Sequence, residues 1–235
     1  MIASIRTKVT ARGISRLCHF TPSRNLVHIA TDPNGILSTA TLQQDEKAIL
    51  NATDLARYDQ HPTHVCCSIQ FPNAWYFQKA RNNGQTLFAD WVVVLIKPDH
   101  LWASGTKFCE RNAAANWGSG IAEGEAAFDS MFKDRVTGAY SNVYVRSERH
   151  PAWLTTDEQA EVLIPDRVAR EDILGVAVAS ESQARREHAR LTQLQTDVPP
   201  LFVVPEFFDE PRRLSELLRT GRPPAETRFV LGGAP

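Results

Sequence analysis

The chain has 235 residues, 43 % of them hydrophobic and 23 % charged, and its 26 basic and 27 acidic side chains leave a net charge of −1. That length buries a core in one large domain or two small ones, and the charge balance excludes the bulk basicity of a non-specific nucleic-acid binder, so any polyanion must meet a local patch. No apolar run approaches the roughly 18 residues of a membrane span and no charged-then-apolar leader begins the sequence, which points to the cytoplasm.

Residues 1–13 carry Arg6, Lys8 and Arg12 with little periodicity, the pattern of a loose basic arm. Leu17 to Phe20 makes a short strand, and a helix should start near Thr21, a capping residue, or Pro22, which suits a first turn. Asn34-Gly35 marks a turn before an extended stretch, and the polar residues 43–62 read as a helix-containing loop. THVCCSIQF (63–71) is a strand stopped by Pro72-Asn73, and AWYFQKAR (74–81) a short helix that ends at Asn82-Asn83-Gly84. FADWVVVLIKP (88–98) is the clearest buried strand. Residues 104–150 suggest an Ala-rich helix, a Gly-rich break and a second helix, a mobile loop region over a site. Val162 to Ile164 is a β-forming run ended by Pro165-Asp166, and ILGVAVAS (173–180) is another strand. Residues 181–194 form an amphipathic helix with Ala184, His188, Leu191 and Gln195 on one stripe, and PPLFVVPEFF is the last strand. Residues 209–235, with Arg212, Arg213, Arg219, Arg222 and Arg228 and one short helix (Leu214 to Leu218), read as a tail, either a partner surface or a solvated extension.

Six to eight short strands with irregularly interspersed helices indicate an α+β class. There is no GxGxxG after a strand and no phosphate-binding loop motif, so neither a dinucleotide-binding parallel sheet nor a nucleoside-triphosphatase fits. His61, His64, Cys66 and Cys67 crowd together, but no second CxxC or HxxxH completes a metal site, and buried thiols in a reducing compartment fit better than ligands; the expected metal content is none.

Two patterns carry chemistry. Gln159 and Glu161 precede the 162–164 run, and on an extended chain residues two apart project side by side, pairing an amide with a carboxylate that can grip sugar hydroxyls and steady a positive charge. Trp75, Tyr76 and Phe77 lie beside Lys79 and Arg81, an arrangement that serves either a core-packed helix or stacking and phosphate contact with a single strand.

Three separated segments then combine. CHFTPSRNL (His19, Thr21, Asn25) with Gly35, Ile36 and Leu37, the stretch from Ala56 to Phe77 with Arg57 ahead of its strand, and TDEQAEVLIPDRV around Glu161 together resemble the DarT family of DNA ADP-ribosyltransferases, toxins whose antitoxins carry a macrodomain; FCERNAAA (108–115) looks like a further family segment. The resemblance covers about residues 14–208, between the arm (1–13) and a C-terminal extension (209–235). It implies an ADP-ribosyltransferase-like fold of two packed, mostly antiparallel small sheets with peripheral helices, and NAD as co-substrate. Glu161 matches the catalytic glutamate, which holds the ribose 2′-hydroxyl as an oxocarbenium-like charge develops, a contact worth roughly 3–4 kcal/mol. Arg57 aligns with the arginine that contacts the cofactor phosphates and helps the target base lose its proton; Arg24 is the alternative for phosphate contact, and by itself Arg57 also reads as a surface arginine. His19, Thr21, Asn25, Gly35, Ile36 and Leu37 would cradle NAD, although His19 alone also reads as a core histidine. Gln159 would orient the nucleophile, and Trp75, Tyr76, Arg81 and Asn112 would meet the acceptor, Asn112 standing where relatives often have histidine. The implied acceptor is thymine, or guanine, in single-stranded DNA, because a base must be unstacked to react. A macrodomain antitoxin is the implied partner. An RNA or protein acceptor, or a non-enzymatic NAD-binding subunit of a defence assembly, are the rival readings, and nothing in the sequence defines an oligomer.

Overall fold

A computed structural model describes residues 2–44, 57–82, 90–138 and 141–232. In chain order its elements begin with α1 (Ile2–Arg12), β1 (Leu17–Pro22), α2 (Asn25–Thr31), β2 (Ile36–Leu37), α3 (Thr39–Gln44), β3 (His64–Ile69), α4 (Ala74–Asn82), β4 (Trp91–Ile96), β5 (Lys107–Cys109) and β6 (Ala122–Glu123). They continue with α5 (Glu125–Ser130), β7 (Arg135–Thr137), β8 (Val143–Val145), β9 (Glu161–Pro165), β10 (Arg167–Val168), β11 (Ile173–Val178), α6 (Glu181–Gln193), β12 (Leu201–Val203), α7 (Pro211–Arg219) and β13 (Thr227–Arg228).

Strand β4 anchors the molecule because all six of its residues are apolar and buried, which only a central strand covered on both faces allows. It runs antiparallel to β1 on one side and β11 on the other. Beyond β11, α6 carries the chain back to β12, parallel to β11, and β13 closes that edge. The complete order is β13-β12-β11-β4-β1-β3-β9-β5-β6, antiparallel except at β11–β12, with β2–β10 and β7–β8 as separate two-stranded pieces. The mostly antiparallel α+β arrangement expected from the sequence is therefore present. Its two halves meet at β1–β3 through only two residue pairs, Leu17 with Ile69 and Cys18 with Ser68, and the strands part beyond them.

Several local expectations are corrected. Residues 1–13 are not a loose arm: α1 buries Ile5 and Val9, four apart on one face, and Lys8 pairs with Glu125 and Asp129 at 2.5 Å. The strand β1 runs through Thr21 and Pro22, and the helix begins only at Asn25. In place of an Ala-rich helix, residues 115–118 make a short 3-10 turn. On α6, Gln183 and Glu187 share the buried stripe with Ala184 and Leu191, while Gln195 lies beyond its end and is exposed. The tail is integral: α7 buries Leu214 and Leu218 in the same apolar cluster as Phe77 and Trp91, and Glu226 makes a two-point pair with Arg16 at 2.6 and 2.5 Å. The end of the polar 43–62 stretch is a turn at 57–60, residues 45–56 lying outside the described set. Among the described residues no helix is long and apolar enough to cross a membrane.

Candidate active site

Where β1 and β3 part, a cleft opens that encloses about 1130 Å³, counting space open to solvent at its mouth. Cys18, His19, Phe20 and Thr21 supply one wall and Val65, Cys66, Cys67 and Ser68 the other; Asn25, Gly35, Ile36 and Leu37 line one rim, and Arg57, Asp59, Asn112 and Glu161 also line the cleft. Two of the three segments singled out in the sequence thus supply the walls, and the third supplies Glu161.

Glu161 is the first residue of β9, 8 % exposed, and faces Cys109 across the β5–β9 ladder. Three residues past Cys109, Asn112 donates from Nδ2 to Glu161 Oε1 at 3.1 Å, fixing the carboxylate from the facing loop. The thiols of Cys66, Cys67 and Cys109 lie close enough to feel its charge. Burial first, and Glu161 in addition, push all three up, Cys109 to about 11, so they stay protonated and serve neither as nucleophiles nor as thiolate ligands near neutral pH. Among the described residues no three His, Cys, Asp or Glu side chains converge to hold a metal.

Arg57 is no solvated surface arginine: its side chain is 10 % exposed and its backbone sits in the left-handed region at φ 38°. Nε and Nη2 donate to the two carboxylate oxygens of Asp59 at 2.9 and 2.6 Å, Nη1 to the His64 carbonyl at 2.7 Å and to Thr39 Oγ1 at 3.2 Å, and Nη2 also to the His61 carbonyl. These five bonds occupy all five guanidinium hydrogens. Arg57 therefore brings positive charge to the cleft wall, and a phosphate contact through it requires one of these bonds to be exchanged.

The opposite rim rests on β1. His19 Nδ1 lies 2.8 Å from the Cys66 carbonyl, which can only accept, so Nδ1 carries the proton and Nε2 keeps its lone pair. Burial, and then the Arg57 charge, lower the His19 pKa and keep the ring neutral, an acceptor suited to a ligand hydroxyl. Asn25 donates to Thr21 Oγ1 at 2.8 Å, leaving the Thr21 hydrogen to donate elsewhere; both residues are buried. Gly35 has φ +65°, and a Cβ there would stand 2.3 Å from the Val168 carbonyl, so only glycine lets β2 approach β10 and present Ile36 and Leu37 to the cleft.

Four of the residues singled out from the sequence stand elsewhere or in another setting. Gln159 is not beside Glu161: Asp157 accepts from the Gln159 amide at 2.9 Å and from the Ala160 amide at 3.1 Å, so the chain turns where extension was expected, and Gln159 does not line the cleft. Of the aromatic helix, Tyr76 lines the cleft and Phe77 stacks on Phe20 at 4.8 Å in the core, whereas Trp75 is exposed and outside the lining. Arg81 donates to the Phe208 carbonyl and covers the Phe77 ring, so its charge is spent on the fold. Arg24 does not line the cleft either. Asp59, which the sequence reading passed over, is the partner that fixes Arg57; its only sequence signal is an acid two residues after the arginine.

A family model described as DarT, ssDNA thymidine ADP-ribosyltransferase, matches residues 18–209. Among solved structures the chain is similar to Thermosipho africanus DarTG in complex with ADP-ribose, with TM-score 0.55 and 17 % identity over 83 % of this chain and 51 % of that one. It is also similar to Thermus sp. 2.9 DarT in complex with ADP-ribosylated ssDNA, with TM-score 0.52 and 11 % identity over 83 % of this chain and 96 % of that one. This chain thus spans about half the length of the Thermosipho africanus chain. No curated protein matches it.

Proposed function

This chain belongs to the DarT family, whose members are described as ssDNA thymidine ADP-ribosyltransferases, and on that premise we propose that it transfers ADP-ribose from NAD to a thymine of single-stranded DNA. The observation that carries the reading is the placement of Glu161: a carboxylate locked by Asn112 in the cleft that His19, Thr21, Asn25 and Gly35 also line. In the reaction the bond between ribose and nicotinamide breaks, the pyridine nitrogen takes the electron pair, and the sugar carries the positive charge until the base attacks and gives up a proton. Glu161 stabilises that charge through the ribose hydroxyl. Neutral His19 accepts from a hydroxyl, and the Thr21 hydroxyl, held by Asn25, donates to the co-substrate. Arg57 acts by its field, favouring the base as it loses its proton, because its hydrogens are committed to Asp59, Thr39 and two carbonyls. Asn112 reaches the acceptor only as the carboxylate's holder, and Tyr76 closes the Phe20 end of the cleft.

In its setting we read the enzyme as a toxin or antiphage effector acting in the cytoplasm, which fits four free thiols, with a macrodomain antitoxin as partner. Incubating the protein with NAD and single-stranded oligonucleotides, with RNA as a parallel acceptor, and weighing the products tests the reaction. Glu161→Ala should lower product by about 10²–10³-fold, the scale of one lost electrostatic contact in the transition state, while the protein stays folded at the assay temperature. Undiminished product from that variant would remove Glu161 from the chemistry.

A further inference from the structure

Tyr58 and Trp117 are large aromatic side chains left 54 % and 64 % exposed, with their rings meeting edge to face at 5.4 Å. Exposed rings of this size contribute little to the fold, yet the backbone that presents Trp117 is strained. Asn116 and Trp117 take φ 51° and 56°, a region that bulky residues avoid. Gly118 follows at φ +80°, where a Cβ would stand 2.3 Å from the Asp59 carbonyl, so this loop is pressed backbone to backbone against the turn that carries Tyr58. The two loops are also the ones that hold the reactive groups: Asn112 begins one and bonds Glu161, while Asp59 in the other fixes Arg57.

We propose that Tyr58 and Trp117 form a stacking platform for the base that flanks the modified one on the acceptor strand, an inference that rests on the transferase reading above. With a net charge of −1 the chain offers a polyanion no bulk attraction, so the strand must be held by local contacts, and any nucleobase presents a π face to an aromatic ring. Tyr58 and Trp117 do not line the cleft themselves, but Arg57, Asp59, Asn112 and Ala114 of the same two loops do, so a base stacked on the pair would neighbour one that enters beside Glu161. The platform sets how tightly the strand is held rather than how the sugar reacts.

Steady-state transfer onto a mixed-sequence, thymine-containing single-stranded oligonucleotide tests it in the full chain. Trp117→Ala and Tyr58→Ala should each raise the KM for the oligonucleotide roughly 5- to 150-fold, the range for one lost base stack. The KM for NAD should hold, and Trp117→Phe should recover most of the loss. Wild-type protein that yields no product overturns the reaction itself. A productive wild type whose alanine variants keep the same oligonucleotide KM, or lose NAD and oligonucleotide KM together, overturns the platform alone.

Discussion

Replacing Asp59 by asparagine tests the account of Arg57 most directly. Asn keeps one oxygen for Arg57 Nε but sets an amide NH₂ against Nη2, where a carboxylate oxygen now accepts at 2.6 Å. One hydrogen bond to a charged group is worth about 1.5–3 kcal/mol, and leaving a buried cation without its counter-charge costs about 3–5 kcal/mol. Both side chains of the pair are nearly buried, at 10 % and 6 % exposure, so the loss belongs in the range of about 2–5 kcal/mol. For a chain of this size that lowers the melting temperature by roughly 5–20 °C. The pH dependence has a definite sign. Burial alone pushes the Asp59 carboxyl up, but the hydrogen bonds and charge of Arg57 outweigh it and hold the pKa below the ordinary 3.8. The pair therefore stabilises fully above the unfolded-state value and loses its contribution as pH falls through the lower folded-state value. Urea midpoints of wild type and Asp59→Asn should differ at neutral pH and draw together as the pH falls below the unfolded-state value. Equal midpoints at neutral pH would show that the buried pair carries no net stability and that Arg57 is fixed by the carbonyls alone.

Two glycines separate strain from contact. Gly13 and Gly35 both have positive φ, but a Cβ at Gly13 meets nothing within 4 Å while one at Gly35 meets the Val168 carbonyl at 2.3 Å. Gly13→Ala should cost about 1 kcal/mol, whereas Gly35→Ala should cost about 2–4 kcal/mol and raise the KM for NAD several-fold; equal melting shifts would contradict the packing argument. Asp157 is 1 % exposed, and burial pushes its carboxyl up to about 6. Because the folded-state value lies above the unfolded 3.8, the wild type loses stability as pH rises between the two, by at most about 3 kcal/mol. Asp157→Asn, which keeps the oxygen that accepts from Gln159, should therefore gain stability over wild type at pH 7.5 and lose that advantage near pH 4; a gain independent of pH would refute the assignment.

What was legible in the sequence was local. The runs at 91–96 and 173–178 announce strands because consecutive β-forming residues with few polar members fit a covered sheet, and the structure buries all of the first and residues 175–178 of the second. Glu161 is legible because a carboxylate opens such a run, and Gly35 because Asn-Gly marks a turn. The failures at the two ends of the chain share one cause, a partner far along the sequence. Ile5 and Val9 are spaced for a helix face, but interspersed Arg and Lys mask a period whose only reward is a core built by other segments. Leu214 and Leu218 gave the short helix, while the cluster they fill draws on residues as far back as Cys18, Phe77 and Trp91. Gln159 fails for the opposite reason: a side chain only two residues away, Asp157, turns the chain locally, and alternation cannot register a turn made by a side-chain oxygen.

His19 shows why the site itself resists being read in sequence order. As a lone histidine on a β-strand it allows two readings, a satisfied core residue and a ligand contact, and these compete only while its surroundings are unknown. Past Cys18 and Ser68 the β1–β3 ladder ends, and the Cys66 carbonyl, facing the gap, takes its hydrogen bond from the imidazole. The same bond fixes the tautomer that leaves Nε2 as an acceptor, so the ring completes the wall of the cleft and keeps an acceptor for a ligand. One residue thus satisfies the broken sheet edge and equips the opening that the break creates, and neither role exists until residue 19 meets residue 66.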